Sequence, residues 1–326
     1  MENKNLLKIK TSSEAVEEAK LAIAEGRTGE QLALLSRHSK IKKALLGGWR
    51  FGNNYAICGA SGSGKSYYLN MLYQDFFNPE LNRDFNKPFK ILHFCFEMAA
   101  YDEIIRAASG NLKTSYREIL SIDQILPDAQ YQNTLVYLDR FKENEIYYVE
   151  STGNYQQIEN TILQFQGRFP QHSLVIGYDH TLLTDYLNER NEVELVTNLS
   201  KMAVRVRKKI NCMNLEICQL NADIENDERI INPVHHYPKK RDIHGAKAVY
   251  RDADYVIVLH APEMLGIERY GKTIYDKNVF PDGDDKIGYP AKDLIMWHLL
   301  KARKGKPGLI RLKNKLNIGD IIQWEV

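Results

Sequence analysis

The sequence has few of the features that mark secreted, membrane-embedded or disulfide-bonded proteins. Its 326 residues include only four cysteines, and no two of them form a C-x-x-C pair. No apolar run approaches the roughly 20 residues of a membrane span, and residues 1–10 are polar without the apolar core of a signal peptide. These absences predict a cytoplasmic protein with reduced thiols and no membrane partner.

The chain also lacks a strong charge of either sign. A net charge of +2 gives no overall basic signal, so any nucleic-acid site must be a local patch. A hydrophobic content of 44% and a charged content of 26% are ordinary for a globular protein. The length favours one α/β domain with a small appendage. We expect residues 1–36 to form a tail and linker helix, and residues 37–326 to form the main domain.

One stretch carries the clearest chemistry. It reads Gly59-Ala60-Ser61-Gly62-Ser63-Gly64-Lys65-Ser66 and fits the phosphate-binding pattern G-x-x-x-x-G-K-[ST]. Its glycines allow backbone N–H groups to form an anion nest, the lysine reaches the β- and γ-phosphates, and the final serine binds Mg²⁺. An apolar strand candidate precedes it at 55–58 and a helical pattern follows at 67–73, as phosphate binding at a helix N-terminus requires.

Apolar strands alternate with helical patterns along the rest of the chain. This alternation predicts a mainly parallel sheet with helices on both faces, closed by a C-terminal β-hairpin in 308–312 and 320–325. The strand candidates lie at 91–96, 146–149, 173–178, 215–218, 255–259 and 294–300. Ligands bind at the carboxyl ends of such strands.

Three polar residues directly follow predicted strands, and all three should therefore lie on the nucleotide side. Asp179 matches a Walker B carboxylate that holds Mg²⁺ directly or through water. Glu97 can orient or deprotonate the attacking water, and we expect its strand beside the phosphate-loop strand. Gln219 can sense the γ-phosphate by hydrogen bonding. For each, the plainer interpretation is a capping or solvated residue at a strand end.

Lys301 and Arg303 form a second candidate group. If residues 294–303 are a strand, the two cations share one face. They could act as fingers on a phosphoryl group, contact a phosphate backbone, or belong to a solvated turn.

Two polar segments, 184–193 and 222–247, follow strand ends and can face a central channel. Their basic side chains and glycine N–H groups suit phosphate contacts to single-stranded DNA without reading its sequence, although charge runs in loops are often only solvated. The candidate DNA-binding residues are Arg190, Lys239, Lys240, Arg241 and Gly245.

Near the N-terminus, Thr11 and Glu14 form a capping box for a helix that we expect to end at Gly26. The apolar stripe of this helix, Ala15, Val16, Ala19, Ala22 and Ile23, is narrow. It requires a partner surface, either in its own chain or in a neighbouring one.

Together these motifs resemble the RecA-like motor domain of DnaB-type replicative helicases, over roughly residues 30–315. The resemblance is carried by the following segments in the correct order: Gly47-Gly48, the phosphate loop, Phe94-Cys95-Phe96-Glu97-Met98, Gln219-Leu220-Asn221, Asp252-Ala253-Asp254 and Lys301-x-Arg303-x-Gly305. It implies that Glu97 is the catalytic glutamate. It also implies that Lys301 and Arg303 reach the nucleotide of a neighbouring subunit.

The resemblance further implies a P-loop ATPase that uses ATP and Mg²⁺, forms a hexameric ring, and moves 5′ to 3′ on single-stranded DNA to unwind duplex. A primase or helicase loader would be its partner. Two departures stand out: Asp179-His180-Thr181-Leu182 replaces the usual Asp-Tyr-Leu-Gln, and the family's N-terminal helical domain has no room here. A compact phage- or plasmid-type helicase in the host cytoplasm fits. The alternatives are a RecA/RadA-like recombination ATPase and an accessory or loader ATPase that remodels a protein partner.

Overall fold

A computed structural model of the chain describes residues 9–28, 30–274 and 287–324. Residue 325 of the predicted closing hairpin lies outside these ranges. The helices are α1 (Ser12–Arg27), α2 (Ser39–Ala44), α3 (Lys65–Phe77), α4 (Pro79–Asn82), α5 (Ala100–Leu112), α6 (Tyr116–Ile119), α7 (Asp128–Phe141), α8 (Tyr155–Arg168), α9 (Glu192–Lys209), α10 (Asp227–Ile231) and α11 (Ala246–Asp252). The strands are β1 (Asn54–Gly59), β2 (Phe89–Cys95), β3 (Ile146–Val149), β4 (Ser173–Asp179), β5 (Cys212–Gln219), β6 (Tyr255–His260), β7 (Arg269–Ile274), β8 (Ile287–Pro290), β9 (Leu294–Ala302), β10 (Gly308–Lys315) and β11 (Asp320–Gln323).

Nine of the described strands form one sheet in the order β11-β10-β9-β6-β1-β5-β4-β2-β3, and β7 pairs with β8 separately. The six strands from β6 to β3 are parallel, whereas β9, β10 and β11 continue the sheet in antiparallel pairing. The predicted parallel sheet and its closing hairpin are therefore confirmed.

One predicted neighbour is wrong. The strand that precedes Glu97, β2, does not lie beside the phosphate-loop strand, because β5 and β4 lie between them. Instead β2 pairs with β4, so that Cys95 lies opposite Asp179 and the Phe96 N–H donates to the Asp179 carbonyl at 2.9 Å. This pairing brings Glu97 next to the Walker B aspartate, where a water-activating carboxylate has to be.

Helices cover both faces of the sheet because β1 alternates its side chains between two buried clusters. Tyr55 and Ile57 pack with α3, whereas Ala56 and Cys58 pack with residues of α9 and α11. The 3- and 4-residue spacing of apolar residues in α9 corresponds to its buried face, which is Val196, Leu199, Ala203 and Val206.

The N-terminal helix α1 stands apart from this core. The capping box is present, since the Glu14 N–H donates to the Thr11 hydroxyl at 3.2 Å and the Thr11 N–H donates to the Glu14 carboxylate at 2.7 Å. The helix ends at Arg27 rather than at Gly26, so this glycine does not stop it. None of its residues is buried, and Ile23 is 66% exposed. The apolar stripe is thus not covered by the described part of its own chain.

The C-terminal hairpin closes the side of the sheet on which the phosphate-loop helix lies. Asp320 at the start of β11 pairs with Arg37 at 3.0 Å and with Lys113, and the Ile321 carbonyl bonds the ring of His38 at 2.8 Å. The last strand therefore joins residues near the beginning of the domain to the end of α5.

Candidate nucleotide site and basic loops

The phosphate loop connects β1, which ends at Gly59, to α3, which begins at Lys65. Gly62 and Gly64 have φ angles of 74° and 89°, in the left-handed region that favours glycine. A Cβ atom on Gly64 would also lie 2.8 Å from the Leu316 side chain, which packs against the loop. The loop thus needs glycine here for backbone conformation and for close packing.

Lys65 lies at the N-terminus of α3 and is largely buried. Its ammonium donates a hydrogen bond to the Ala60 carbonyl at 2.7 Å. Burial lowers the pKa of Lys65, and the carboxylates of Asp179 and Glu97 oppose this shift. The ammonium is therefore held within the loop and close to both acids.

Asp179, the last residue of β4, is a buried acid with incomplete hydrogen bonding. Burial raises its pKa to about 6, although the Ser66 hydroxyl donates a hydrogen bond to the carboxylate. Its Oδ1 atom is buried and has no hydrogen-bond partner among the described residues. Because buried polar atoms are normally paired, such an atom beside a serine hydroxyl fits a Mg²⁺ site built from oxygen ligands.

Glu97 lies two residues beyond β2, and its side chain is 54% exposed. Its Oε2 atom is 3.9 Å from Nε2 of His180, the buried residue that follows Asp179. Burial lowers the pKa of His180, which favours the neutral ring, while the charge of Glu97 opposes the shift.

A cavity of about 220 Å³ brings the predicted nucleotide residues together at the carboxyl edge of the sheet. Gln219, the last residue of β5, lines it beside the phosphate loop. The predicted residues that line it are Ser61, Gly62, Gly64, Lys65, Ser66, Glu97 and Gln219. The positions of the predicted acid, base and sensor are thus compatible with one nucleotide site.

Sequence reasoning missed two residues of this site, both on α5. The Arg106 guanidinium lies 4.9 Å from the ring centre of Tyr67 and lines the same cavity. Glu103 is buried and bonded to Asn70, and burial, with the charge of Asp179, raises its pKa to about 7. Their spacing of three residues on the helix that follows Glu97 was the available signal, since such residues share a helix face.

Lys301 and Arg303 lie at the opposite edge of the sheet from the phosphate loop. Ala302 pairs with Tyr255, which pairs with Tyr55 at the start of β1, whereas Gly59 is the last residue of β1. Four residues of strand separate the two edges by about 13 Å. Strand β9 ends at Ala302, so Arg303 begins the following turn.

Both cations are held by groups of their own chain. The Lys301 ammonium donates to three carbonyl oxygens at the C-terminus of α11, including that of Ala253 at 2.7 Å. The Arg303 Nε atom lies 3.0 Å from Asp254 Oδ1, and the arginine side chain is 51% exposed. The remaining guanidinium donors of Arg303 are thus available at the surface.

The basic loops lie on the face of α9 and α11. His244 Nε2 contacts Glu192 Oε2 at 3.0 Å and joins the two predicted DNA segments, and Gly245 caps α11 with a φ of 66°. Arg190, Lys239, Lys240 and Arg241 are exposed. The Lys240 ammonium, however, lies 4.8 Å from the centre of the Tyr250 ring, which Lys301 also approaches at 5.3 Å. Lys240 is therefore drawn toward Lys301.

The nested phosphate loop, the buried strand-end acid and the parallel sheet extended by antiparallel strands define a RecA-like P-loop NTPase. Residues 34–320 match the family model described as the DnaB-like helicase C terminal domain. The chain belongs to this family of replicative helicases, and it is an enzyme.

Solved structures agree on the fold. An ATPase domain solved on its own superposes with a TM-score of 0.76 at 13% identity, covering 98% of this chain and all of that one. A DnaB-like replicative helicase, solved in a study of its interactions with primase, gives a TM-score of 0.73 at 13% identity, covering 98% of this chain and 68% of that one. No curated protein sequence matches significantly. Within the described residues, no helix has the length and apolarity needed to cross a bilayer.

Proposed function

We propose that this chain is a Mg²⁺-ATP-driven motor that assembles into a ring, a hexamer as is typical of its family, moves 5′ to 3′ on single-stranded DNA and unwinds duplex. One observation carries the proposal. The cavity at the carboxyl edge gathers Lys65, Ser66 and Glu97 beside the buried Asp179, whereas the exposed Arg303 lies at the opposite edge. A site whose arginine is at the far edge is completed most simply by a neighbouring copy.

The chemistry follows from the residues. Ser66 and Asp179 would hold Mg²⁺, which neutralises charge on the β- and γ-phosphates. Lys65 exchanges its bond to the Ala60 carbonyl for phosphate oxygens, and Glu97 orients or deprotonates the attacking water. Gln219 senses the γ-phosphate, and Arg303 of a neighbour stabilises the charge that develops on it.

For DNA, the loops at 184–193 and 222–247 begin at the strand ends that carry Asp179 and Gln219. Nucleotide-dependent movement of those strand ends can therefore reach the basic loops directly. The relative solved with primase supports a primase or a helicase loader as the protein partner of this chain. Helix α1, with residues 1–36, would dock on an adjacent subunit.

Two variants test the nucleotide assignment. Lys65→Ala should abolish ATP hydrolysis and unwinding of a forked DNA while circular dichroism stays unchanged. Glu97→Gln should bind nucleotide with nearly normal affinity but lose about 10²–10⁴-fold in kcat. Folded Lys65→Ala protein that hydrolyses ATP at the normal rate would refute the assignment.

Electron microscopy with an ATP analogue and forked DNA separates the remaining candidates. Closed rings around one strand support the helicase. DNA-dependent filaments would identify a recombination ATPase. ATP hydrolysis that responds to a protein partner and not to DNA would identify a loader.

A further inference from the structure

His180 occupies the position between the Walker B aspartate and the rest of the loop that follows β4. It is buried, and its ring lies between two groups of different chemistry. On one side the Leu182 N–H donates to Nδ1 at 3.3 Å. On the other side Nε2 lies 3.9 Å from the Glu97 carboxylate.

The Leu182 contact fixes the proton on the ring. A nitrogen that accepts a hydrogen bond carries no proton, so the single proton of the neutral imidazole is on Nε2. The histidine therefore presents an N–H donor toward Glu97 Oε2. The gap of 3.9 Å exceeds a hydrogen bond by about 1 Å, and the half-exposed Glu97 side chain is free to close it by rotation.

We infer that His180 is a positioning residue, which captures the Glu97 carboxylate through its Nε2–H group and holds it toward the γ-phosphate side of the cavity. This inference rests on the proposed role of Glu97. An exposed glutamate has several rotamers, and only some of them direct the carboxylate into the site. A fixed donor on a buried ring restricts this choice without a second charge near Mg²⁺.

Three substitutions separate this role from a structural one. Gln at position 180 can extend an amide N–H to about the place of Nε2, whereas Asn can accept from Leu182 but is too short to reach Glu97. Leu keeps the bulk and removes both contacts. We expect His180→Leu and His180→Asn to lower kcat about 10–100-fold, with the KM for ATP nearly unchanged. His180→Gln should recover most of the rate.

The decisive measurement is a double-mutant cycle in single-turnover ATP hydrolysis with DNA present. If His180 acts through Glu97, His180→Leu should cause no further loss of rate in the Glu97→Gln protein. Nucleotide affinity, measured with a fluorescent ATP analogue, should be equal in all variants.

The outcomes are separable. If Glu97→Gln hydrolyses ATP at the normal rate, the proposed role of Glu97 fails and the inference fails with it. If Glu97→Gln loses its activity while His180→Leu keeps a normal kcat, only the inference is overturned. Recovery by Asn instead of Gln, or full additivity with Glu97→Gln, would assign His180 to loop structure.

Discussion

Two buried aspartates, one at each edge of the parallel strands, have opposite surroundings. Asp254 accepts the Asn54 N–H at 2.9 Å and pairs with both Arg207 and Arg303. Asp179 accepts a hydrogen bond from Ser66, and its Oδ1 atom is without a partner in the described structure. The first carboxylate stabilises the fold. The second costs free energy until a ligand arrives, and this contrast identifies the edge that was built for chemistry.

The largest expected effect concerns the surface that Asp254 supports. Arg303→Ala should bind ATP but lose about 10³-fold or more in kcat, since an arginine finger contributes roughly 10³–10⁵. Mixed with Lys65→Ala protein under dissociating conditions and reassembled, it should regain activity above the sum of the two. Each mixed interface can pair an intact pocket with an intact arginine.

Arg303→Lys is the matched control, because it keeps the charge but loses the fork of donors. Unfolding midpoints should differ little among the three proteins, since Arg303 is half exposed. Confirmed subunit exchange without any return of activity would place the action of Arg303 within its own chain.

Asp254→Asn should be strongly destabilising. It leaves Arg207, whose side chain is only 13% exposed, without its counter-charge. Removing one partner of a buried ion pair costs about 3–5 kcal/mol. Urea unfolding at pH 7 measures the change, and an unfolding free energy equal to wild type would contradict the contrast between the two edges.

The same substitution at Asp179 should have the opposite sign. Because burial raises its pKa to about 6, the native state favours the protonated form, and stability falls as pH rises from about 4 through 6. Asp179→Asn should therefore stabilise the nucleotide-free protein by about 1–3 kcal/mol at pH 8 and abolish hydrolysis. Urea titrations at pH 4 and pH 8 should show the gain at pH 8 only.

The smallest effect concerns the basic loop. Replacing Lys239, Lys240 and Arg241 by Ala should weaken binding of single-stranded DNA about equally for all sequences. The slope of log K against log salt should shrink by about 2, at roughly 0.7 for each phosphate that is no longer neutralised. A control that removes Arg140, Lys142 and Arg168, exposed at the other edge of the sheet, should leave the slope unchanged. Equal slopes for the two triple variants would move the DNA site elsewhere.

Local patterns predicted the parts of this molecule that local physics determines. The phosphate loop follows from glycine conformation and helix N-terminal electrostatics, and the buried face of α9 follows from its 3- and 4-residue spacing. Glu97, Asp179 and Gln219 could be placed at one edge because parallel strands end there. Their roles in the reaction stay predictions.

What the patterns could not give was the choice of neighbours. Strand order depends on which hydrophobic faces meet across the whole domain, so the position of β2 beside β4 was not accessible from either segment alone. For the same reason Arg106 and Glu103 were missed. Their importance comes from packing of α5 against the phosphate-loop helix, which brings Arg106 to Tyr67 and Glu103 to Asn70.

The contact between Leu316 and Gly64 sets an order in time as well as in space. A ribosome delivers residues 59–66 long before residues 316–321, at about 5–20 residues per second. A nascent chain therefore holds its phosphate loop without the wall that Leu316 provides, and without the bonds from Asp320 and Ile321 that fasten this wall to Arg37 and His38. The cell thus obtains a complete pocket only when synthesis has reached the last hairpin, which protects an unfinished motor from premature nucleotide turnover.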